Sequence, residues 1–210
     1  MKCNLANHIK ITNLLSSFQQ IGFTSGIING SVVRNAYLID DLDPTAEIPT
    51  VTILLWHPEH SPEMIVGYYD NNEVRLIQHA AQLDESRGWP DMDDSFEVTM
   101  LGNNHIFGSV VDYFIQLRKD NVKYSIMFTT INPIDYVKKE TTIGLNRAYY
   151  NGKKMTALSD CINGYLNKEI YICRGNIGER QLRIIQKVAI PHISKCFPSY
   201  SVRYHIDLNI

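Results

Sequence analysis

Apolar residues recur along the chain with two different periods, which indicates a mixture of helices and strands. At the N-terminus they recur at helical spacing from Leu5 to Phe18, and Gly22 is a natural stop for this helix. The apolar run 23–28, the turn Asn29-Gly30-Ser31 and the apolar stretch 32–38 then predict a strand, a tight turn and a short helix. The first part of the chain is therefore predicted to alternate helix, strand and helix.

The middle of the chain is predicted to supply most of the strands. The segment 40–49 contains two prolines among four acids and is predicted to be a loop. A buried strand follows from Thr50 to Trp56, and its period of two places Thr50 and Thr52 on the same face. Further strands are predicted for residues 64–70 and 73–79, which flank Asn71-Asn72, and for 96–101 and 123–131; the segment 73–79 equally fits the start of a helix. We expect residues 83–95 to form a surface excursion and Ser109 to Arg118 to form a helix.

The C-terminal part is predicted to combine helices with a hairpin. Residues 132–140 favour a short helix with Pro133 near its start, and residues 147–158 favour a hairpin that turns at Asn151-Gly152. The segment 179–194 is amphipathic. Its apolar side consists of Leu182, Ile185, Val188 and Ala189, and its basic side of Arg180, Arg183 and Lys187. These elements predict an α+β fold, a mixed β-sheet flanked by helices, with a body over residues 1–165 and a C-terminal helical appendage, 166–210, packed on it.

Composition excludes several classes of protein. The chain of 210 residues is 44% hydrophobic, enough for a real core, and its 20 Lys and Arg nearly balance 22 Asp and Glu. The global charge therefore gives no attraction to nucleic acid or anionic lipid, and any such binding must be local. Four well-separated cysteines and an N-terminus without a signal-peptide pattern indicate a reduced, cytoplasmic protein. No apolar run approaches the roughly 20 residues that span a bilayer, so we expect no membrane association.

The chemistry-bearing residues begin at Gly30-Ser31, because a glycine-serine turn that opens a helix offers backbone N–H groups and a hydroxyl to a phosphate. Such a pair alone is usually only a turn and a helix cap. In context, "GFTSGIINGSVVRNAYL" resembles the opening of the nucleotidyltransferase superfamily, especially the tRNA nucleotidyltransferase and poly(A) polymerase head type. Segments 131–152 and 179–200 resemble later parts of the same pattern, the second as in short bacteriophage members.

The resemblance implies a nucleotidyltransferase-like fold and a two-metal phosphoryl-transfer site. In that family two carboxylates on one strand, and a third on a neighbouring strand, hold Mg²⁺ around a nucleoside triphosphate. Hard divalent cations require oxygen ligands that carry negative charge, so neutral hydroxyls substitute poorly.

This chain departs from the family pattern at each acidic position. Thr50 and Thr52 take the strand positions of the Asp pair, and Asn35 follows Arg34 where the family has Arg-Asp. Thr141-Thr142-Ile143 replaces Phe-Asp-Phe, and Tyr150-Asn151-Gly152 replaces Tyr-Asp-Gly. Because every replacement removes charge, the implied metal site is predicted to be lost, with no metal ligands.

A second way of aligning the chain with the family pattern keeps acids at the metal-binding positions. Asp41 and Asp43 lie within the spacing from Ser31 that the family allows, and they would be the catalytic metal pair of an active enzyme that uses Mg²⁺ and a nucleoside triphosphate. Pro44 argues against a central strand at this place, because it has no N–H to donate to a ladder. The first alignment, in which Thr50 and Thr52 take the positions of the Asp pair, in turn requires an insertion between Ser31 and the strand that carries the threonines.

Two main functions follow from these two alignments. In the first, the chain is a pseudoenzyme that binds a nucleotide, RNA such as tRNA, or a host protein. Its binding residues would come from the glycine turn, the threonine strand and two arginines: Gly30, Ser31, Arg34, Thr50, Thr52 and Arg147. In the second, it is an active, template-independent transferase that modifies RNA or protein. A zinc site at His57 and His60 is disfavoured because Pro58 and Pro62 break the helix that would align them.

Overall fold

The computed structural model describes residues 14–16, 18–19, 23–46, 50–56, 69–70, 73–74, 97–103, 110–119, 122–173 and 179–205. The helices are α1 Ser31–Tyr37, α2 Pro133–Lys139, α3 Ser159–Asn167, α4 Glu179–Ile184 and α5 Ile190–Cys196, with a 3-10 turn Gly144–Asn146 and a π-helical turn Ile185–Ala189. The strands are β1 Ile27–Asn29, β2 Val51–Leu55, β3 Tyr69–Asp70, β4 Glu73–Val74, β5 Glu97–Asn103, β6 Val111–Lys119, β7 Val122–Thr129, β8 Ala148–Tyr150, β9 Met155–Ala157, β10 Glu169–Cys173 and β11 Ser201–His205.

A seven-stranded mixed sheet forms the centre of the molecule. Its strand order is β5-β6-β7-β2-β1-β8-β9, in which β2 and β7 run parallel and the other neighbours run antiparallel. Strands β10 and β11 form a separate parallel pair, and β3 and β4 a short antiparallel pair. The predicted α+β fold with a mixed sheet flanked by helices is therefore confirmed, and it is consistent with a nucleotidyltransferase-like fold.

The two faces of β2 pack against different layers. Val51, Ile53 and Leu55 belong to the main core, which also contains Val33 of α1 and Phe18 from the helical residues 14–16 and 18–19. Leu54 faces the other way and packs with Ile27 of β1 and Val137 of α2. The predicted alternation along this strand is confirmed, and it leaves Thr52 on the face opposite the main core.

A second core joins the C-terminal part of the chain to the body, and we call it the C-terminal core. Its buried members are Leu38, Ile143, Leu145, Ile170, Ile172, Ile190, Ile193, Cys196, Phe197 and Tyr200. The first three lie before residue 165 and the others after it. The division into 1–165 and 166–210 stays a prediction, while the packing of the C-terminal helices on the body is observed.

The helix predicted from Ser109 to Arg118 is wrong within its described residues, because Val111–Lys119 is strand β6 between β5 and β7. The error has a physical cause. A bulge shifts the register between Val111 and Tyr113, so the buried side chains of Val111 and Phe114 are three residues apart. An extra residue in a strand thus imitates the spacing of a helix face.

Several other predictions can be compared with the structure. The strand predicted to begin at Phe23 begins at Ile27, because Gly26 N–H donates to the Phe23 carbonyl in a turn, at 2.8 Å. The paired strands, the hairpin and the helix that begins at Pro133 are confirmed within their described residues. Helix α3 and strands β10 and β11 were not predicted. The excursion 83–95 and the histidines at 57 and 60 lie outside the described residues. In the described part of the chain, no helix is both long and apolar enough to cross a membrane.

Candidate functional site

Strand register brings a line of polar side chains together across the main sheet. Residues that pair directly across neighbouring strands share one face. Asn29 of β1 pairs with Thr52 of β2, and Thr52 pairs with Ser125 of β7. The line continues on both sides, and we call the whole set the polar row: Gln116, Ser125, Thr52, Asn29, Tyr149 and Thr156. None of its six members is an acid.

The polar row borders an apolar patch on the same face. Two residues away from Asn29, Thr52 and Ser125 on the same three strands lie Ile27, Leu54 and Met127. Ile27 pairs with Leu54 and Leu54 with Met127, and these three side chains pack against α2. Helix α2 therefore covers one end of the face. The row at its edge combines the partly exposed Thr52 with the buried Ser125, whose hydroxyl has no hydrogen-bond partner among the described residues. A buried hydroxyl without a partner lowers the free energy of unfolding by about 1–3 kcal/mol, so the polar row includes a group that destabilises the fold.

The glycine corner lies directly beside Thr52. Gly30 has φ 84° and ψ −150°, a backbone conformation that L side chains rarely adopt. A Cβ on Gly30 would come within 3.3 Å of Thr52 Oγ1. The Ser31 hydroxyl donates to the Thr50 carbonyl at 3.2 Å. The structure thus brings together four of the predicted binding residues, Gly30, Ser31, Thr50 and Thr52, and it ties the start of α1 to the central strand.

Arg34 points into the protein rather than toward this corner. Its Nε donates to Asn35 Oδ1 at 2.9 Å and its Nη1 to Asn146 Oδ1 at 3.1 Å. The guanidinium lies over the Phe197 ring at 5.4 Å, and its Nη2 has no partner among the described residues. Burial lowers the pKa of Arg34 to about 10, so the side chain stays charged at neutral pH. Asn35 therefore offers this buried cation a neutral oxygen where the family pattern has a carboxylate.

Arg147 is occupied by a different set of partners. Its Nε donates to the Thr141 carbonyl at 2.8 Å, and its Nη1 forms an ion pair with Asp160 in the first turn of α3. Arg147 follows Asn146, whose carbonyl accepts from Asn29 Nδ2 at 3.0 Å. The two predicted arginines are therefore linked to the polar row through Asn146, and both use donors to hold the fold together.

Asp41 and Asp43 lie beyond the opposite end of α1 from the glycine corner. Seven helical residues separate the two places, a rise of about 10 Å. Asp41 forms an ion pair with Lys168 and accepts from the Tyr200 hydroxyl at 2.8 Å. Burial raises the pKa of Asp41, but the hydrogen bonds from Lys168 and Tyr200 outweigh it, so the pKa lies below its ordinary value.

The carboxylate of Asp43 bonds to a residue two positions later in the same loop. It accepts from Thr45 N–H at 2.7 Å and from Thr45 Oγ1 at 2.5 Å, and these bonds hold its pKa below the ordinary value. Across the described residues, no three His, Cys, Asp or Glu side chains are grouped so as to hold a metal ion. The hydroxyls and the two amides of the polar row do not fit the Mg²⁺ pair that the family pattern implies, because they supply no negative charge.

Comparison with known proteins adds little to this geometry. No family model matches the chain, and no curated protein matches it. A solved structure of tRNA-processing enzyme complex 3 is similar with a TM-score of 0.41 and 11% sequence identity. The similarity covers 85% of this chain and 40% of that chain, so this chain spans less than half the length of its neighbour. A likeness this distant carries no inference about function.

Both direct neighbours of Thr52 in the polar row were missed in the sequence. Asn29 was assigned only to a turn, and Ser125 only to the predicted strand 123–131. Their position follows from the pairing of β1 and β7 with β2: along the chain, Thr52 lies 23 residues after Asn29 and 73 residues before Ser125. Only the register of non-local strands identifies these neighbours, and periodicity within one strand carries no information about it.

Proposed function

We propose that this chain is a nucleotidyltransferase-like protein that binds the phosphates of a nucleotide or of RNA without metal-dependent transfer chemistry. The observation that carries the proposal is the polar row, in which Thr52 and Ser125 stand side by side on β2 and β7 next to Gly30. Two neighbouring strands beside a glycine turn are where the family pattern requires its acids. Hydroxyls here remove both the ligands for a cation and the repulsion that carboxylates exert on phosphate.

The proposal assigns distinct roles to the predicted residues. Backbone N–H groups at the start of α1 and the partly exposed hydroxyl of Thr52 contact the phosphate, and the buried hydroxyl of Ser125 lies beside Thr52 without carrying charge. Arg34 and Arg147 do not contact the phosphate and act by positioning the polar row. Arg34 donates to Asn146, and Arg147 pairs with Asp160 of α3. Asp41 supports the other end of α1 through Lys168 and Tyr200, and an active-enzyme role would require it to leave those partners.

A charge introduced into the row tests where binding occurs. We expect Thr52→Asp to weaken binding of labelled ATP or CTP in EDTA by about tenfold or more, because a carboxylate would face the phosphates without a cation between them. Thr52→Asn has nearly the same shape as Thr52→Asp without the charge and keeps a hydrogen-bond donor, so it is the matched control; we expect it to change affinity by about threefold or less. Equilibrium dialysis measures both. Equal affinities for the wild type and Thr52→Asp would place any nucleotide elsewhere.

An activity assay separates this proposal from the active transferase. The full chain is incubated with labelled nucleoside triphosphates, Mg²⁺ or Mn²⁺ and bulk tRNA, and acid-precipitable label is counted. We expect no incorporation above that of a heat-denatured sample. Incorporation that Asp41→Ala and Asp43→Ala abolish would establish the active enzyme instead.

A further inference from the structure

The C-terminal helix, residues 179–196, exposes a set of side chains that includes no acid among those the structure describes, from Leu182 onward. Its exposed side chains, which we call the outward face, are Arg183, Ile184, Gln186, Lys187, Val188, Pro191, His192 and Lys195. No Asp or Glu occurs anywhere from Arg180 to His205, although the whole chain has 22. The outward face is therefore cationic within a protein whose formal net charge is −2.

The π-helical turn adds an apolar pair to this face. In the turn, Ile190 N–H donates to the Ile185 carbonyl, five residues earlier, so the helix holds one residue more than a regular turn. Val188 was predicted to face the core; this is wrong, because the extra residue rotates it outward to 64% exposure, beside Ile184 at 53%. π-turns occur frequently at functional sites.

The helix remains docked on both sides of the turn. Leu182, Ile185 and Ala189 pack against the C-terminal core, and Ile190 and Ile193 are buried in it. Ile184 and Val188 are therefore exposed by the geometry of a packed helix and not by its detachment from the body. Full burial of a Val or Ile side chain is favourable by about 1.5–3 kcal/mol, so covering this pair would contribute to the affinity of a partner.

The combination of apolar and basic side chains distinguishes between classes of partner. A nucleic-acid backbone would use the cations but gain little from two aliphatic side chains. A lipid surface would need a broad apolar stripe, and the main apolar side of this helix is already buried in the protein. Protein interfaces combine an apolar centre with a polar rim, and cations favour an acidic rim on the partner.

We propose that the outward face docks an acidic amphipathic helix of a partner protein, with Ile184 and Val188 as its apolar centre and Arg183, Lys187 and Lys195 as its rim. This interface is separate from the polar row and does not depend on nucleotide binding. The two exposed aliphatic side chains supply contact area, and the exposed cations Lys187 and Lys195 beside them favour a partner segment rich in Asp and Glu.

The test uses a synthetic, fluorescein-labelled helical peptide with two leucines at i, i+4 spacing and glutamates on either side of them. Fluorescence anisotropy with the full chain should show saturable binding that Val188→Ser and Lys187→Glu each weaken by about tenfold. Leu166→Ser on α3, also an exposed aliphatic, and Lys153→Glu on the hairpin are the matched controls and should leave the affinity unchanged. Because all four side chains are exposed, circular dichroism should show the same folded spectrum for each variant.

Other classes of partner for the outward face would give different results in these binding experiments. Equal binding of a peptide with both leucines replaced by serine would show that charge alone is recognised, and it would overturn the proposal. Tighter binding of a single-stranded RNA oligonucleotide or of anionic vesicles, indifferent to Val188→Ser, would overturn it in favour of those surfaces. Self-association of the chain that Val188→Ser abolishes, seen by sedimentation, would make the partner a second copy and would also contradict it.

Discussion

Thr52 illustrates how a single side chain sets the chemistry of the polar row. It is partly exposed on the central strand, between Asn29 and Ser125, and its Oγ1 faces the position where a side chain on Gly30 would lie. A carboxylate at the same position would hold a cation and repel a free phosphate, whereas a hydroxyl does neither and can donate a hydrogen bond to phosphate. The period of two along β2 identified the face of Thr52 from the sequence alone, while the replacement of an acid by Thr52 stays a prediction.

Arg34 contributes mainly by packing. We expect Arg34→Ala to destabilise the fold by about 2–4 kcal/mol, since it leaves a cavity beside Phe197 and removes the donors to Asn35 and Asn146. Arg34→Met fills the volume without a buried charge and should recover most of the loss. Urea denaturation gives the free energies of unfolding. An Arg34→Ala protein as stable as the wild type would contradict this role.

Asp41 should make stability depend on pH at the acidic end. Its pKa is lower in the folded protein than its ordinary value of 3.8, so its contribution is complete above that value and is lost as the pH falls through the lower, folded pKa. We expect Asp41→Asn to be less stable than the wild type at neutral pH, with a difference that shrinks below the ordinary value. Urea unfolding at several pH values measures it. A difference that stays constant down to strongly acidic pH would contradict the Lys168 and Tyr200 contacts as its source.

At the scale of elements, the strand–turn–helix unit around Gly30 was predictable and the neighbouring strands were only partly so. Glycine and serine in a turn between two apolar runs identify a corner directly. Strand β6 was mistaken for a helix because its bulge places Val111 and Phe114 at helical spacing. Val188 was assigned to the wrong side because a π-turn changes the period within a helix, and no local residue pattern marks that change.

The corner itself should be sensitive to substitution. Gly30→Ala puts a side chain where φ is 84° and where Thr52 Oγ1 is 3.3 Å from the new Cβ. We expect a loss of about 1–3 kcal/mol in the free energy of unfolding. Ser31→Ala, which removes only the hydrogen bond to the Thr50 carbonyl, should lose about 0.5–1.5 kcal/mol. If Gly30→Ala were the milder of the two in denaturant titrations, the positive φ would not be required.

At the scale of the whole molecule, two cores share the body of the protein. The main core lies between α1 and the sheet, and the C-terminal core joins Leu38, Ile143 and Leu145 to β10 and the last helix. The α+β class followed from the mixture of periods, but the strand order and the β10–β11 pair did not. Both depend on contacts between residues far apart in sequence, which local patterns do not encode.

The shared C-terminal core predicts that the body needs the last 45 residues. A fragment of residues 1–165 would expose the side chains of Leu38, Ile143 and Leu145 that the C-terminal core now buries. We therefore expect this fragment to lack the cooperative thermal unfolding transition of the full chain. Circular dichroism during heating compares the two. A sharp transition for the fragment would show that residues 1–165 fold independently.

Binding of phosphate without a divalent cation is the property that most clearly separates a hydroxyl-lined cleft from a carboxylate-lined one. Isothermal titration of the full chain with ATP or CTP, once in EDTA and once in excess Mg²⁺, measures it directly. We expect the two dissociation constants to agree within about threefold, because the polar row offers a cation no charged ligand. Binding that requires Mg²⁺, or that EDTA abolishes, would contradict the carboxylate-free cleft.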